Sequence, residues 1–117
     1  MELANQSAQQ LIINQNFYNY SYNFTPGQWY HLALLRDDGK VRFFVNGAQV
    51  GADWYLPVDI TGSTEGLKLG THKDGSGGYF KGKMDEFRIS KGIARWTSNF
   101  TVPTQAYEAD SYTKLLL

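Results

Sequence analysis

Two short stretches of the chain set an aromatic ring beside hydrogen-bonding groups. One is Asp53-Trp54-Tyr55; the other runs from His72 through Asp74 and three glycines to Tyr79. Such pairings suit sugar binding. The C–H face of a sugar stacks on a Trp or Tyr ring, and its hydroxyls need Asp, Asn or backbone partners. Asp53, Trp54, Tyr55, His72, Asp74 and Tyr79 are therefore the candidate ligand contacts. The plainer expectation for Trp54 is packing, either as a cap on the core or against a neighbouring subunit. Asp74 is also the calcium candidate, helped by glycine carbonyls and by Asp53 or Asp59 if folding brings them near. Calcium takes about six to eight oxygen ligands. The sequence has no D-x-D-x-D-G loop, and Asp74-Gly75 reads equally well as a simple turn. No other cofactor is expected.

Catalytic constellations fare worse. The chain has no cysteine and no G-x-S-x-G elbow. His31, flanked by Tyr30 and Leu32, reads as a packed, hydrogen-bonded residue rather than a base. His31 and His72 lie far apart and offer no zinc spacing. Asp85 and Glu86 are the close carboxylate pair within a strand-like stretch. Adjacent strand residues point to opposite faces, so the two cannot flank one bond. Glu86 and Arg88 share a face and are expected to form an ion pair. The chain is not expected to be an enzyme.

Charge narrows the partners. Eleven Lys and Arg balance eleven Asp and Glu, with no basic run, so nucleic acid, which is gripped through phosphate neutralisation, is not expected. No segment approaches the roughly 18 apolar residues of a membrane span. The opening Met1-Glu2-Leu3-Ala4-Asn5 lacks the basic and apolar regions of a signal peptide. Absence of cysteine fits a bacterial or viral origin better than a small eukaryotic secreted domain. N-x-[ST] triplets at Asn5, Asn19, Asn23 and Asn99 are what an Asn-, Ser- and Thr-rich chain produces by chance.

The elements that must position these residues read as strands. Gln10–Ile13 and Phe17–Tyr22 suggest a hairpin about Asn14-Gln15-Asn16. After the Thr25-Pro26-Gly27 breaker, residues 28–36 form the clearest strand. Tyr30, Leu32 and Leu34 lie on one face, and Trp29, His31, Ala33 and Leu35 on the other. With both faces apolar, this strand is expected to sit centrally, covered on both sides. Asp37-Asp38-Gly39-Lys40 turns the chain into a partner strand with Val41, Phe43 and Val45 inward. Asn46-Gly47, the preferred type I′ pair, launches a third strand. Residues 53–64 read as a loop with an aromatic tip, 67–70 as a short strand, 72–78 as a flexible glycine-rich loop, and 80–90 as the last long strand. Lys91–Trp96 looks like one helical turn, with Trp29 and Trp96 in the core or at an interface. Short strands with turn signals every eight to twelve residues or so mean a sandwich or jelly roll. The predicted fold is all-β, an antiparallel β-sandwich.

Three pieces then coincide in order. Gln28–Arg36 followed by Val41–Gly47 resembles the central hairpin of laminin-G-like, concanavalin-A-like domains. Gly82–Ser90 is similar to their late strand. Ala94-Arg95-Trp96 with Asn99–Pro103, and the ending Thr113–Leu117, resemble the tail of bacterial and phage members. The resemblance covers roughly residues 10–117 and implies one concanavalin-A-like jelly-roll domain over 1–117, or a fragment of a longer one. Related jelly rolls include glycosidases with an E-x-D-x-x-E strand, a pattern missing here. Such domains usually carry further strands before the first hairpin, so the resemblance also implies a homo-oligomer or a place in a larger assembly. The function it implies is a non-catalytic recognition or adhesion module for glycan or another surface ligand, on a virion or cell surface. The competing expectation is a structural or decoration module whose aromatics make subunit contacts.

Overall fold

A computed structural model describes residues 2–3, 11–13, 16–18, 22–57, 66–72 and 75–117. Its strands, in chain order, are β1 (Glu2–Leu3), β2 (Leu11–Ile13), β3 (Asn16–Tyr18), β4 (Leu32–Asp37), β5 (Lys40–Val45), β6 (Ala48–Tyr55), β7 (Gly82–Lys83), β8 (Arg88–Ser90) and β9 (Thr113–Leu116). All pairings are antiparallel: β1 with β7, β2 with β3, β8 with β9, and a meander in the order β4-β5-β6. No described residue is helical. The fold is the expected all-β antiparallel sandwich, and the hairpins at 11–18 and 32–55 form.

Turn chemistry builds the meander. Asp38-Gly39 and Asn46-Gly47 each adopt positive φ at both positions (45° and 75°; 51° and 79°). That is the type I′ requirement, and its twist matches the flanking strands. The register it sets places Leu32 opposite Val45, Ala33 opposite Phe44 and Leu34 opposite Phe43.

One face of the meander carries a core of Phe24, Tyr30 and Val45, with Tyr22, Leu32, Phe43, Val50 and Phe80 packed around it. Tyr30 meets Phe24 edge-on at 5.0 Å. Its hydroxyl accepts a hydrogen bond from the Thr25 N–H and donates to Gln28 Oε1, which ties down the turn at Pro26-Gly27.

The other face is covered by the chain beyond β8. Phe44, fully buried, packs against Phe100, and Trp96 stacks on Phe100 at 4.1 Å. Burying such a ring stabilises by about 1.5–3 kcal/mol. His31 lies edge-on to Trp96, Phe100 and Tyr107, and its Nε2 shares a 2.6 Å hydrogen bond with the Tyr107 hydroxyl. The Arg88 guanidinium lies 4.0 Å from the Tyr107 ring centre. Arg95 reaches Ser90 Oγ and both carboxylate oxygens of Asp110, holding that carboxyl well below the usual range, and Asp110 in turn caps the turn into β9.

Several local expectations give way to tertiary geometry. Among the described residues β4 is hydrogen-bonded to β5, and Trp29, for which the core was one of two expected places, is 53% exposed. The stretch 80–90 breaks between β7 and β8. There Glu86 takes a φ of 53° and its N–H bonds to Asp85 Oδ1, a local side-chain bond that competes with the ladder. The Glu86–Arg88 ion pair does not form. Glu86 Oε2 accepts the Tyr107 N–H at 2.7 Å while Arg88 stacks on that ring. Lys91–Trp96 is irregular because Gly92 turns left-handed (φ 92°) and Arg95 is drawn to Asp110. Residues 67–70 form no strand; Gly70 turns left-handed (φ 72°), and Leu67 and Leu69 face solvent.

Two measurements follow. A Cβ on Gly47 would collide with the Phe100 carbonyl oxygen and would sit at a φ of 79°. Gly47→Ala is expected to cost on the order of 2 kcal/mol or more and to lower the thermal midpoint by roughly 10 °C. Gly66→Ala, with open space around it, should leave the midpoint unchanged. The second concerns pH. Burial, reinforced by the Arg88 charge, lowers the His31 pKa from its ordinary 6.5, and its buried Nδ1 has no acceptor among the described residues. The unfolded chain therefore takes up this proton first. The contribution is complete above pH 6.5 and is lost as the pH falls through the lowered value. The midpoint of the wild type should drop more steeply than that of His31→Gln between about pH 7 and about pH 5; parallel profiles would refute the assignment.

Candidate ligand-binding site

The two aromatic stretches end up in different surroundings. Asp53, Trp54 and Tyr55 are not a loop tip but the last residues of β6. The pairing of β5 with β6 is irregular between Val41 and Phe43, and Gly51 turns left-handed (φ 71°), which absorbs the slip. Pairing then resumes with Trp54 opposite Val41 and Tyr55 opposite Lys40. Consecutive strand residues alternate between faces, so the three do not make one binding plate.

Asp53 instead joins a polar cluster on the sheet. Gln49 Nε2 donates to Oδ1 at 2.8 Å, and Arg42 Nε donates to both carboxylate oxygens at 3.2 Å. The Gln49 bond, then the Arg42 bond and charge, hold the Asp53 carboxyl below the usual range. Trp54 is half-buried beside the buried Val41. Tyr55 is 63% exposed, and its ring covers Gly39, where a Cβ would come within 2.5 Å.

His72 and Tyr79 are brought onto one loop, and its backbone is laced together. The Phe80 N–H donates to Gly70 O, the His72 N–H to Gly77 O and the Gly75 N–H to His72 O, each at 2.8–2.9 Å. Thr71 Oγ1 donates to Gly77 O at 2.9 Å. Glycine is required at 78: its φ is 62°, and the His72 ring occupies the space a Cβ would take. Phe80 packs against the core cluster, so its neighbour Tyr79 is turned outward. That ring is 68% exposed, and its hydroxyl donates to Gly75 O at 3.2 Å. Lys68 Nζ lies near Gly75. Asp74 and Asp59 lie outside the described residues, and with them the calcium expectation. Among the described residues no three His, Cys, Asp or Glu side chains converge as a metal site would need.

A further feature escaped the reading of the residues. An open cleft of about 1610 Å³ runs between residues 29–38 and 84–96. Trp29, Leu34, Met84 and Ile93 are each more than 40% exposed and line it. The signal that hid it was the two-sided apolar pattern of 29–35, which reads as a covered strand. Its charged lining is largely engaged: Arg95 with Asp110, Glu86 with the Tyr107 N–H and Asp85 with the Glu86 N–H.

Comparison with known families places this geometry. A laminin-G-type family model, described as the concanavalin A-like lectin/glucanases superfamily, matches residues 3–96. That segment takes in the meander, the 70–80 loop and β8, and stops short of Phe100, Tyr107 and β9. Comparisons with curated proteins and with solved structures gave no match. No described helix is long and apolar enough to cross a membrane. The matched segment spans most of the chain and agrees with the antiparallel all-β architecture, and the chain belongs to the concanavalin A-like lectin/glucanases superfamily.

Proposed function

We propose that the protein is a non-catalytic recognition module that binds glycan through the 70–80 loop, as part of a virion or a bacterial or phage surface protein. The observation that carries this reading is Tyr79. It is a large ring, mostly in solvent, fixed by its neighbour Phe80 in the core and by its own hydroxyl on Gly75. A plate held in place loses little freedom when a sugar stacks on it. His72 supplies a hydrogen-bonding edge in the same loop, and Asp74 is the nearest carboxylate in sequence. Asp53 and Trp54 serve the sheet in this reading, and Tyr55 offers a second, separate exposed ring. The non-catalytic part rests on Asp85 and Glu86. Each carboxylate is engaged by a backbone N–H, and neither is paired as a glycosidase acid and nucleophile would be.

A second reading, a structural module of a larger assembly, draws support from the exposed apolar residues along the cleft, Trp29, Leu34, Leu69, Met84 and Ile93. Contiguous exposed apolar surface marks contact sites.

A glycan array followed by titration of the best ligand tests the first reading. Tyr79→Ala is expected to weaken binding about ten- to hundredfold, while Tyr79→Phe keeps the plate and most of the affinity. Trp29→Ala should leave affinity unchanged. A well-folded sample that captures no glycan would sink the lectin reading.

A further inference from the structure

An asparagine followed by glycine readily loses its side-chain amide, because glycine leaves the next backbone nitrogen unshielded for attack on the side-chain carbonyl carbon. In this chain Asn46 alone precedes a glycine; every other asparagine precedes Gln, Phe or Tyr. The chemistry uses only the chain and water. The Gly47 nitrogen bonds to Asn46 Cγ, the Cγ–Nδ2 bond breaks, and ammonia leaves with the proton that the Gly47 nitrogen gives up. Water then opens the five-membered imide at one of its two carbonyls. Opening at Cγ leaves aspartate. Opening at the Asn46 main-chain carbonyl leaves isoaspartate, in which Cβ and Cγ belong to the main chain.

The fold holds the reacting atoms apart. Asn46 and Gly47 are the central residues of the turn between β5 and β6, with φ of 51° and 79°. In a type I′ turn the first of them has ψ of about +30°. That value puts the Gly47 nitrogen on the side of Cα away from Cβ, whereas ring closure needs the two eclipsed. Asn46 Oδ1 is also fixed by the His31 N–H at 2.9 Å, and the Asn46 N–H by His31 O at 2.8 Å. Turning the Asn46–Gly47 peptide over would move Gly47, which is buried. Gly47 O accepts the Phe100 N–H at 2.9 Å, and the Phe100 carbonyl oxygen sits where a Cβ on Gly47 would be. Beside it Asn99 Oδ1 accepts the Gln49 N–H at 2.9 Å. The peptide therefore cannot turn over until residues 99–100 let go.

We propose that Asn46-Gly47 is a spontaneous deamidation site that the docked residues 96–100 hold closed, and that its conversion to isoaspartate releases them irreversibly. The rate is set by the fraction of molecules in which this segment has opened locally. A two-residue turn keeps Val45 opposite Ala48. Isoaspartate adds a main-chain carbon, so the type I′ path and its register are lost. Phe100 then has no seat at Gly47, and its packing on Phe44 and Trp96 is lost with it. The aspartate product keeps the main chain and an oxygen for the His31 N–H, so the segment redocks on it. One turn residue thus acts as a one-way release, opened by age rather than by a ligand.

Incubating the intact chain at neutral pH, with mass-spectrometric peptide mapping and isoaspartyl methyltransferase labelling of residue 46, tests this. The folded wild type is expected to deamidate roughly tenfold or more slowly than the same chain in urea. Phe100→Ala, which empties the seat at Gly47, should approach the rate in urea. Asn99→Ala, which loses the bond from the Gln49 N–H, should speed the reaction about two- to tenfold. Because Asn99 is exposed, that variant decides the matter even if Phe100→Ala unfolds. Hydrogen exchange reads the consequence: the Phe100 amide should exchange fast in aged chains carrying isoaspartate and slowly in Asn46→Asp. A folded wild type that reacts as fast as in urea, an Asn99→Ala variant no faster than wild type, or an isoaspartate form whose Phe100 amide still exchanges slowly would each overturn the proposal. Tyr79→Ala should leave the rate unchanged, so failure here leaves the glycan reading standing.

Discussion

The turn at Asn46-Gly47 is where the first half of the chain meets the last. Its left-handed backbone sets the register of β5 on β6. The Asn46 side chain accepts the His31 N–H, and Gly47 O accepts the Phe100 N–H at 2.9 Å. Asn99 Oδ1 accepts the Gln49 N–H. Because Gly47 has no Cβ, the Phe100 carbonyl can sit directly against it. Phe100 then lands on Phe44, and Trp96 on Phe100. One two-residue turn thus decides both the pairing of the sheet and the docking of the segment that covers it.

Polar groups near that covering segment hold it in place. A neutral His31 joins the aromatic cluster through Tyr107, whose hydroxyl burial pushes to a higher pKa and so keeps protonated. Glu86 holds the Tyr107 amide, and Arg95 ties β8 to the turn before β9 through Asp110. Such charge-assisted bonds are directional and hold an irregular chain that has few ladder bonds of its own. Among the rings and apolar side chains presented to solvent are Tyr55 and Tyr79 on the rims, and Trp29 and Leu34 along the cleft.

These exposed groups fall into two kinds. Tyr79 is a ring fixed from behind, the arrangement a recognition surface needs, since an aromatic contact is most effective when it is already in place. Leu34 lies along the cleft with Trp29, Met84 and Ile93, where apolar side chains are exposed together.

Several features were legible in the residues themselves. The alternation, the turn at 37–40 and the Asn46-Gly47 type I′ pair determined an all-β chain with a three-strand meander, because turn type depends on which residues tolerate positive φ. The packing of His31 was also readable, and the family resemblance implied the closing strand at 113–116. The course of 53–55 was not, because the pairing shifts by two residues against β5 between Val50 and Trp54, and only the partner strand shows where it resumes. Nor was the exposure of Trp29. An apolar residue in the sequence states a preference for burial, whereas what lies beside a strand edge depends on how distant segments pack. The break at Glu86 depended likewise on Tyr107, a residue 21 positions away whose amide takes the carboxylate. Local backbone chemistry was set by the sequence alone; which faces stayed open was decided by the tertiary structure, because coverage is a property of neighbours rather than of the residue covered.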